Sequence, residues 1–302
     1  MRVATEGGHR AHQPRAARAG QNRGRDARPW RVGRASHGGD CVSHHSQSEP
    51  PLLEKELREL KLPSFAENWS AIADEAKRRG TSYPEYLAEL THLEITGRYD
   101  RRVGRRIKEA KFPSLKTVDA FDFERQPGVD RDKILELARA DFVERHENIV
   151  LLGEIGTGKT HLASAIGFAC CQRGYRVRFM TAADLTTVLV ESKSVDRLSR
   201  KLDQMARYDV VILDELGYVP FDRAGADLLF TFITRVYEQR SLIVTTNLPF
   251  ARWTEVFQDA TAAAAVIDRI VHHATILTTT GRSYRLQAAQ DAQAANAARD
   301  EK

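Results

Sequence analysis

The sequence predicts an α/β fold, in which a parallel sheet is flanked by helices and preceded by a small all-helical region. From residue 148 onward, short apolar runs alternate with segments of helical periodicity, which is the pattern of βαβ units. The letters GEIGTGKT at 153–160 lie between one such run and a helical segment, as a phosphate-binding loop does. Between residues 51 and 111 the apolar spacing is helical.

Composition excludes several classes of protein. The chain has 302 residues, of which 42% are hydrophobic and 29% charged, as in globular proteins. No apolar run approaches the ~18 residues that span a membrane, and the start has no apolar signal segment. Three cysteines cannot form a disulfide framework. We therefore expect a cytoplasmic protein without a membrane partner.

The net charge of +5 comes from one end of the chain. The first 50 residues hold nine Arg, no Lys and four acidic residues, whereas the other 252 residues are neutral overall. Residues 1–49 have no apolar period, so they cannot offset the entropy of ordering, and we expect a disordered tail. Three interpretations stay open: a nucleic-acid arm, a metal cluster, and a misassigned start, with translation beginning for example at Val42. The cluster would comprise His37, Cys41, His44 and His45.

Three helices are predicted before residue 112. The first has Leu53, Leu57 and Leu60 on one face. The second ends at Gly80 and has four apolar residues at helical spacing: Phe65, Trp69, Ile72 and Ala76. The third begins at a capping box of Ser82 and Glu85 and extends from about 83 to 111, before a proline.

Five arginines of the third helix have the spacing of one helical face. They are Arg98, Arg101, Arg102, Arg105 and Arg106. Residues 98–116 hold eight basic and two acidic residues, and clustered cations repel one another unless anions are nearby. We interpret this face as a contact for nucleic acid. The alternative is a solvated face that pairs with the acidic residues of 54–94.

Strands are predicted at five positions, and each of the first four is followed by helical segments. They are 148–152, 177–180, 210–213, 242–246 and 274–279. A sixth strand at 283–286 is expected to close the ordered region, and residues 287–302 are a low-complexity tail. Buried strands that alternate with helices favour a parallel sheet covered on both faces.

The loop at 153–160 matches the pattern G-x-x-x-x-G-K-[ST]. Its glycines let backbone N–H groups surround phosphate oxygens at a helix N-terminus. Lys159 can reach the β- and γ-phosphates, and the Thr160 hydroxyl can bind Mg²⁺. We therefore expect ATP and Mg²⁺ as cofactors. The predicted nucleotide-binding residues are Gly153, Gly156, Thr157, Gly158, Lys159, Thr160 and His161.

Two later strands end in polar side chains. Asp214 closes an apolar run about 55 residues after the loop, where it can hold Mg²⁺. Glu215 follows it and can deprotonate a water aimed at the γ-phosphate; a loop acid or a cap is the alternative. Asn247 ends the next strand and can bind a phosphate oxygen or the attacking water; the alternative is a turn residue. Behind a phosphate-binding loop, this set predicts an ATPase.

Several short motifs extend this pattern along the chain. They are FDF at 121–123, FVER at 142–145, GTGKTHLA at 156–163, LDELGY at 213–218, GADLLF at 225–230, TNLPF at 246–250, and IDRI at 267–270 with His272 and His273. Over about residues 52–286 the chain resembles the IstB family of insertion-sequence helper ATPases, relatives of the DnaC helicase loader in the AAA+ class. The resemblance implies a P-loop NTPase of AAA+ type. It also implies that Arg269 is an arginine finger that acts on a neighbour's ATP, with a surface salt bridge as the alternative, and that Arg285 is a second sensor arginine.

The resemblance implies an ATP-dependent helper of transposition that assembles on double-stranded DNA and regulates a partner transposase. A DnaC-like helicase loader is the alternative, because it shares every ATPase motif. A small-molecule P-loop kinase fits poorly with the adjacent Asp214 and Glu215, and a nucleotide-gated binding protein that barely hydrolyses ATP stays open.

The predicted organisation has four segments. They are a tail at 1–49, a helical domain at 50–116, an AAA+ domain at 117–286 and a tail at 287–302. Only 55 residues follow Asn247, and we expect no full C-terminal helical lid. A neighbouring subunit would then complete the ATP site, so a homo-oligomer is expected.

Overall fold

The computed structural model describes residues 50–192, 194–218, 220–281 and 283–284. The predictions for residues 1–49 and 287–302, and the role expected of Arg285, lie outside these residues. Within them, no helix is both long enough and apolar enough to cross a membrane.

Three helices begin the described chain, as predicted. They are α1 (Pro50–Glu59), α2 (Pro63–Arg79) and α3 (Tyr83–Ala110). Gly80 ends α2 in a left-handed conformation with φ 67°, which glycine adopts without a Cβ penalty. The capping box of α3 is present, because the Ser82 hydroxyl accepts from Glu85 N and the Glu85 carboxylate accepts from Ser82 N.

Helices and strands alternate through the rest of the chain. They are α4 (Arg131–Leu137), α5 (Asp141–Glu144), β1 (Asn148–Gly153), α6 (Lys159–Gln172), β2 (Val177–Thr181), α7 (Ala182–Glu191), α8 (Val195–Met205), β3 (Val210–Asp214), α9 (Arg223–Val236), β4 (Ser241–Thr246), a 3-10 turn (Phe250–Arg252), α10 (Thr254–Phe257), α11 (Ala260–Val271) and β5 (Ala274–Thr279). The five predicted strands are confirmed within about one residue.

The five strands form one parallel sheet in the order β2-β3-β4-β1-β5. Alternate side chains of each strand face opposite layers. In β3, Val211 and Leu213 pack with α7, α9 and α11 in one buried cluster, whereas Val210 and Ile212 pack with α4 and α6 in the other. The sheet is therefore covered by helices on both faces, as the apolar runs predicted.

The predicted sixth strand is wrong for the residues that can be judged. Ser283 and Tyr284 belong to no strand. Tyr284 N donates to the carbonyl of Gly156 at 2.9 Å, so its backbone bonds to the phosphate-binding loop instead of a strand neighbour. The ring of Tyr284 packs on Phe121.

The end of α3 is part of the core of the α/β region. Ala110 is fully buried in the cluster that contains Ile149 and Ile166, and Ile107 packs against the same cluster. α3 contacts β2 and α6. One helix therefore connects the helical region directly to the sheet.

Candidate functional site

The phosphate-binding loop lies between β1 and α6, and two of its glycines have conformations that favour glycine. Gly156 and Gly158 have φ values of 83° and 91°, in the left-handed region. A Cβ at Gly158 would lie 2.7 Å from the ring of Phe121, and one at Gly156 would lie 2.1 Å from Oγ of Ser283. Both positions therefore need glycine for conformation and for space.

Lys159 begins α6 and lies across the loop. Its Nζ donates to the carbonyl oxygens of Gly153 at 2.8 Å and Glu154 at 2.6 Å. These carbonyls hold the ammonium group at the mouth of the loop, where the first N–H groups of a helix bind anions. The arrangement is suited to a phosphate group that takes over part of this hydrogen bonding.

Thr157 has a structural role for its side chain. The residue is 1% exposed, and its hydroxyl donates to the Glu154 carbonyl at 2.8 Å and lies 2.6 Å from the hydroxyl of Thr279. This contact ties the loop to β5. The prediction that Thr157 binds nucleotide therefore concerns its backbone N–H alone, because the side chain points into the protein.

Asp214 lies at the end of β3 and is bonded to two hydroxyl groups. Thr160 Oγ1 is 3.0 and 3.1 Å from the two carboxylate oxygens. Thr245 Oγ1 donates to Oδ1 at 2.5 Å. Asp214 is 4% exposed, and both partners are neutral, so its negative charge has no cation beside it among these contacts. The predicted pairing of Thr160 and Asp214 is thus present.

Glu215 follows in a left-handed conformation with φ 59°, which is uncommon for a residue with a side chain. Thr245 holds this conformation with two hydrogen bonds, one through its side chain and one through its backbone. Its hydroxyl accepts from Glu215 N at 2.9 Å, and its carbonyl accepts from Leu216 N at 2.9 Å. The turn directs Glu215 outward, and its side chain lines the cavity beside Lys159 and Thr160.

A cavity of about 600 Å³ brings most of the predicted site together. Its wall includes Gly156, Gly158, Lys159, Thr160, His161, Glu215 and Asn247. Asp214 lies behind Thr160, and Gly153 is reached through Lys159. Residues far apart in the chain thus meet at the carboxyl edge of the sheet, which is where parallel α/β folds bind ligands.

Aromatic side chains line the cavity beside the loop. The rings of His161 and Tyr284 both pack edge-on against Phe121, with centroids 5.3 and 6.1 Å away. His161 Nε2 lies 3.0 Å from the Thr117 carbonyl. Burial lowers the pKa of His161, so its neutral form is favoured. Such a wall suits a flat apolar group such as a nucleotide base.

Arg269 does not reach this cavity. It lies on α11, where Nη1 donates to the Ala265 carbonyl at 2.9 Å and the guanidinium stacks over Phe230 at 5.1 Å. Neither contact is a salt bridge. Arg269 is therefore not among the residues that line the cavity of the same chain.

The arginines of α3 do not form one uniform face. Arg102 and Arg105 are exposed. Arg98 and Arg101 converge on the buried carboxylate of Glu94. Arg106 differs from the other four, because it is half-buried and its Nε and Nη1 are buried without a hydrogen-bond partner among the described residues. Its part in a contact with nucleic acid stays a prediction.

Cys170 and Cys171 are both fully buried on α6 and pack in the same core cluster as Ile166. Burial raises the pKa of both thiols, that of Cys171 to about 12. Neither forms a thiolate near neutral pH.

Sequence reasoning missed three residues of the site: Thr245, Phe121 and Tyr284. Thr245 lies two residues before Asn247 on a fully buried strand, and a polar residue inside an apolar run was a usable signal. The contact between the rings of Phe121 and Tyr284 had no such signal, because the two residues are far apart in the chain. The hydroxyl of Tyr284 also donates to the carbonyl of Asp122, which is 162 positions earlier.

Comparisons with known proteins identify the family of the chain. The sequence profile of the IstB-like ATP binding protein family matches residues 55–292. The ATP-binding protein of insertion sequence IS21 from Pseudomonas aeruginosa is 42% identical over 235 residues, covering 78% of this chain and 89% of that protein. The ATP-binding protein of IS5376 from Geobacillus stearothermophilus is 42% identical over 228 residues, covering 76% and 91%. The crystal structure of DnaI is 22% identical with a TM-score of 0.45, over 56% of this chain and 89% of that one.

The family match covers most of the chain, and it includes the phosphate-binding loop, Asp214, Glu215 and Asn247. The predicted family is therefore confirmed, and the chain belongs to the IstB-like ATP binding proteins.

Proposed function

We propose that this protein is an ATP-dependent helper of transposition. It assembles on double-stranded DNA as a homo-oligomer and regulates a partner transposase through ATP binding and hydrolysis. The observation that carries the proposal is the meeting of Lys159, Thr160 and Glu215 in one cavity, with Asp214 directly behind. The relatives belong to insertion sequences, which supports a role in transposition.

The oxygen atoms beside the loop fit a Mg²⁺ ion. The Thr160 hydroxyl and the Asp214 carboxylate lie 3.0 Å apart, and oxygen donors of this kind are the ligands that Mg²⁺ prefers. When bound, the ion neutralises charge on the β- and γ-phosphates. Thr160 and Asp214 would hold the ion, and Thr245 fixes the same carboxylate.

The other side chains supply the remaining roles in hydrolysis. Lys159 binds the terminal phosphates, and Asn247 holds a γ-phosphate oxygen or the attacking water. Glu215 takes the proton from that water, a step that general bases accelerate by about 10²–10⁴-fold. The turn at Glu215 supports this role, because Thr245 fixes its backbone while the side chain stays at the cavity wall.

The proposed role of Arg269 as an arginine finger requires a second subunit. Arg269 does not line the cavity of its own chain, yet it is ordered by Phe230 and the Ala265 carbonyl. In an oligomer, Arg269 of one subunit would act on ATP held by the next, where such a residue is worth about 10³-fold or more in turnover.

ATP hydrolysis with and without duplex DNA tests the proposal. Lys159→Ala should lose ATP binding, whereas Glu215→Gln should keep binding and lose hydrolysis. Glu191→Gln makes the same chemical change at the exposed end of α7 and should behave as wild type. Normal hydrolysis in Glu215→Gln, or the absence of any stimulation by DNA in the wild-type protein, would contradict the mechanism.

A further inference from the structure

We propose that a basic cleft in the helical region binds a backbone phosphate of double-stranded DNA. The basic cleft has a volume of about 460 Å³ and is lined by Arg58, Lys61, Pro63, Arg98 and Arg101. Four of these five residues carry a positive charge. The inference rests on the proposed function, because it names where the DNA of that proposal is held.

A buried acid organises the basic cleft. Glu94 is 3% exposed, and its carboxylate accepts from Arg98 Nε at 2.8 Å and Arg101 Nη2 at 3.1 Å. It also accepts from Ser64 N at 2.8 Å. Burial alone would raise the pKa of Glu94, but these hydrogen bonds and the charge of Arg101 outweigh it and lower that pKa. Glu94 is therefore ionised at neutral pH and holds both arginines.

Two further contacts fix the directions of the guanidinium groups. Arg98 Nη2 donates to the Lys61 carbonyl at 2.8 Å, and Arg101 Nη1 donates to Ser64 Oγ at 3.3 Å. The first contact joins α3 to the turn between α1 and α2, and the second joins it to the start of α2. The arginines are thus held against α2 and the turn that precedes it, which pre-organises them for a ligand.

Gly97 makes this close packing possible. A Cβ at this position would lie 2.6 Å from Ser64 Oγ and 3.1 Å from Arg101 Nη1. Glycine weakens the interior of a helix, so a glycine at this crossing is explained by the approach of the two side chains. The basic cleft is therefore a packed feature of the fold and differs from a freely solvated charged face.

The donors that remain can serve an anion. The hydrogen bonds described above use two of the five N–H donors of each arginine. The side chains of Arg98 and Arg101 are 50% and 49% exposed, so the remaining donors are accessible. Four cations line the basic cleft against two nearby carboxylates, Glu94 and Glu54, and the latter is 4.0 Å from Arg58. The excess positive charge favours a phosphate.

The remaining exposed arginines of α3 have a different character. Arg102 and Arg105 form no hydrogen bond or ion pair with any described residue. They must lose side-chain entropy when they bind a ligand, whereas Arg98 and Arg101 have already lost most of theirs. Of the predicted arginine face, the basic cleft is therefore the part built to hold a phosphate.

Salt-dependent DNA binding tests the basic cleft. The full chain, with a non-hydrolysable ATP analogue, is titrated into a labelled duplex of mixed sequence at several KCl concentrations. The variant Arg58→Gln/Lys61→Gln removes two exposed charges and leaves Glu94 and its partners intact. The control Arg78→Gln/Arg79→Gln removes two charges at the other end of α2, where both pair with Glu75.

We expect the Arg58→Gln/Lys61→Gln variant to bind roughly tenfold more weakly and to reduce the slope of log K against log salt by about one to two. The control should keep both values. The same slope in both variants and in the wild type would overturn the basic cleft while leaving the proposed function intact. A wild-type protein that binds no duplex under any of these conditions would overturn both. Weaker binding to one sequence only would also contradict a backbone contact.

Discussion

The ATP site and the basic cleft each contain one buried carboxylate, and the partners of the two are opposite in kind. Asp214 is bonded to the hydroxyls of Thr160 and Thr245. Glu94 is bonded to the guanidinium groups of Arg98 and Arg101. The first acid is held by neutral hydroxyl groups, whereas the second holds two cations that face an external anion.

The difference in partners predicts that the two acids contribute to different properties of the protein. Hydroxyl groups can bond to a neutral side chain as well as to a charged one, so little of the stability depends on the charge of Asp214. A buried ion pair, in contrast, is costly to break, because removing one partner leaves the other uncompensated. Neutralising the first acid should therefore act mainly on activity, and neutralising the second should act mainly on the free energy of unfolding.

The largest effect is expected for Asp214→Asn. ATP hydrolysis should fall by at least about 100-fold, because a neutral amide holds Mg²⁺ poorly and the metal contributes several kcal/mol to catalysis. The free energy of unfolding should change by less than about 1 kcal/mol, because the amide can still bond to Thr160 and Thr245. Steady-state ATPase assays and urea denaturation measure the two quantities. A large loss of stability would contradict the comparison.

A smaller effect is expected for Thr245→Val, which removes the hydroxyl that joins Asp214 and Glu215. Turnover should fall by about 10- to 100-fold, since one hydrogen bond to a charged group is worth about 1.5–3 kcal/mol. The affinity for ATP should change little, because Thr245 positions the acids and leaves the phosphate-binding loop intact. Thr245→Ser keeps the hydroxyl and should recover turnover. Equal losses in both variants would indicate a packing defect.

Glu94→Gln tests the other acid through stability. Unfolding should become easier by about 2–3 kcal/mol, because Arg98 and Arg101 lose their charged partner. The lowered pKa of Glu94 gives a second signature. Its stabilising contribution is complete above the unfolded-state pKa of about 4.3 and is lost as the pH falls through the lower folded-state value.

Urea titrations at pH 7 and at pH 3 measure this contribution. The difference between wild type and Glu94→Gln should be largest at pH 7 and should shrink at pH 3. A pH-independent difference would show that the carboxylate charge is not its source. DNA affinity should also fall, because the arginines of the basic cleft lose their fixed directions.

The smallest effects are expected at two glycines of α3, which should respond differently to substitution by alanine. A Cβ at Gly104 meets no atom within 4 Å, whereas one at Gly97 meets Ser64 and Arg101. Gly104→Ala should therefore raise the free energy of unfolding by about 0.5–1 kcal/mol. Gly97→Ala should show no such gain and should weaken DNA binding. Thermal denaturation of both variants checks this, and equal stabilisation would argue against close packing at Gly97.

The sequence predicted the five strands, the first three helices and the phosphate-binding loop, because these depend on local signals. Apolar runs bounded by caps predicted the strands, and the loop pattern by itself identified Lys159 and Thr160. The phosphate-binding loop and the end of β3 could be placed together because the carboxyl ends of parallel strands meet at one edge of the sheet.

The basic cleft could not be predicted in this way. Its geometry depends on how α2 crosses α3, which brings Ser64 to Gly97 and Glu94. Helical spacing placed Arg106 with the other arginines, but in the structure this residue is half-buried. Spacing alone states which residues share a side of a helix, and it does not state what that side faces.

The length of α3 determines how far its free end moves when the helix tilts at the core. The helix contains 28 residues without interruption, so it is a rod of about 42 Å. One end is fixed in the core of the α/β region at Ala110, and Glu94 lies more than halfway toward the other. A tilt of about 5° at the core would move the far end by roughly 4 Å over this length. A small tilt of α3 at the sheet would therefore produce a larger displacement at the start of the helix, in the helical region.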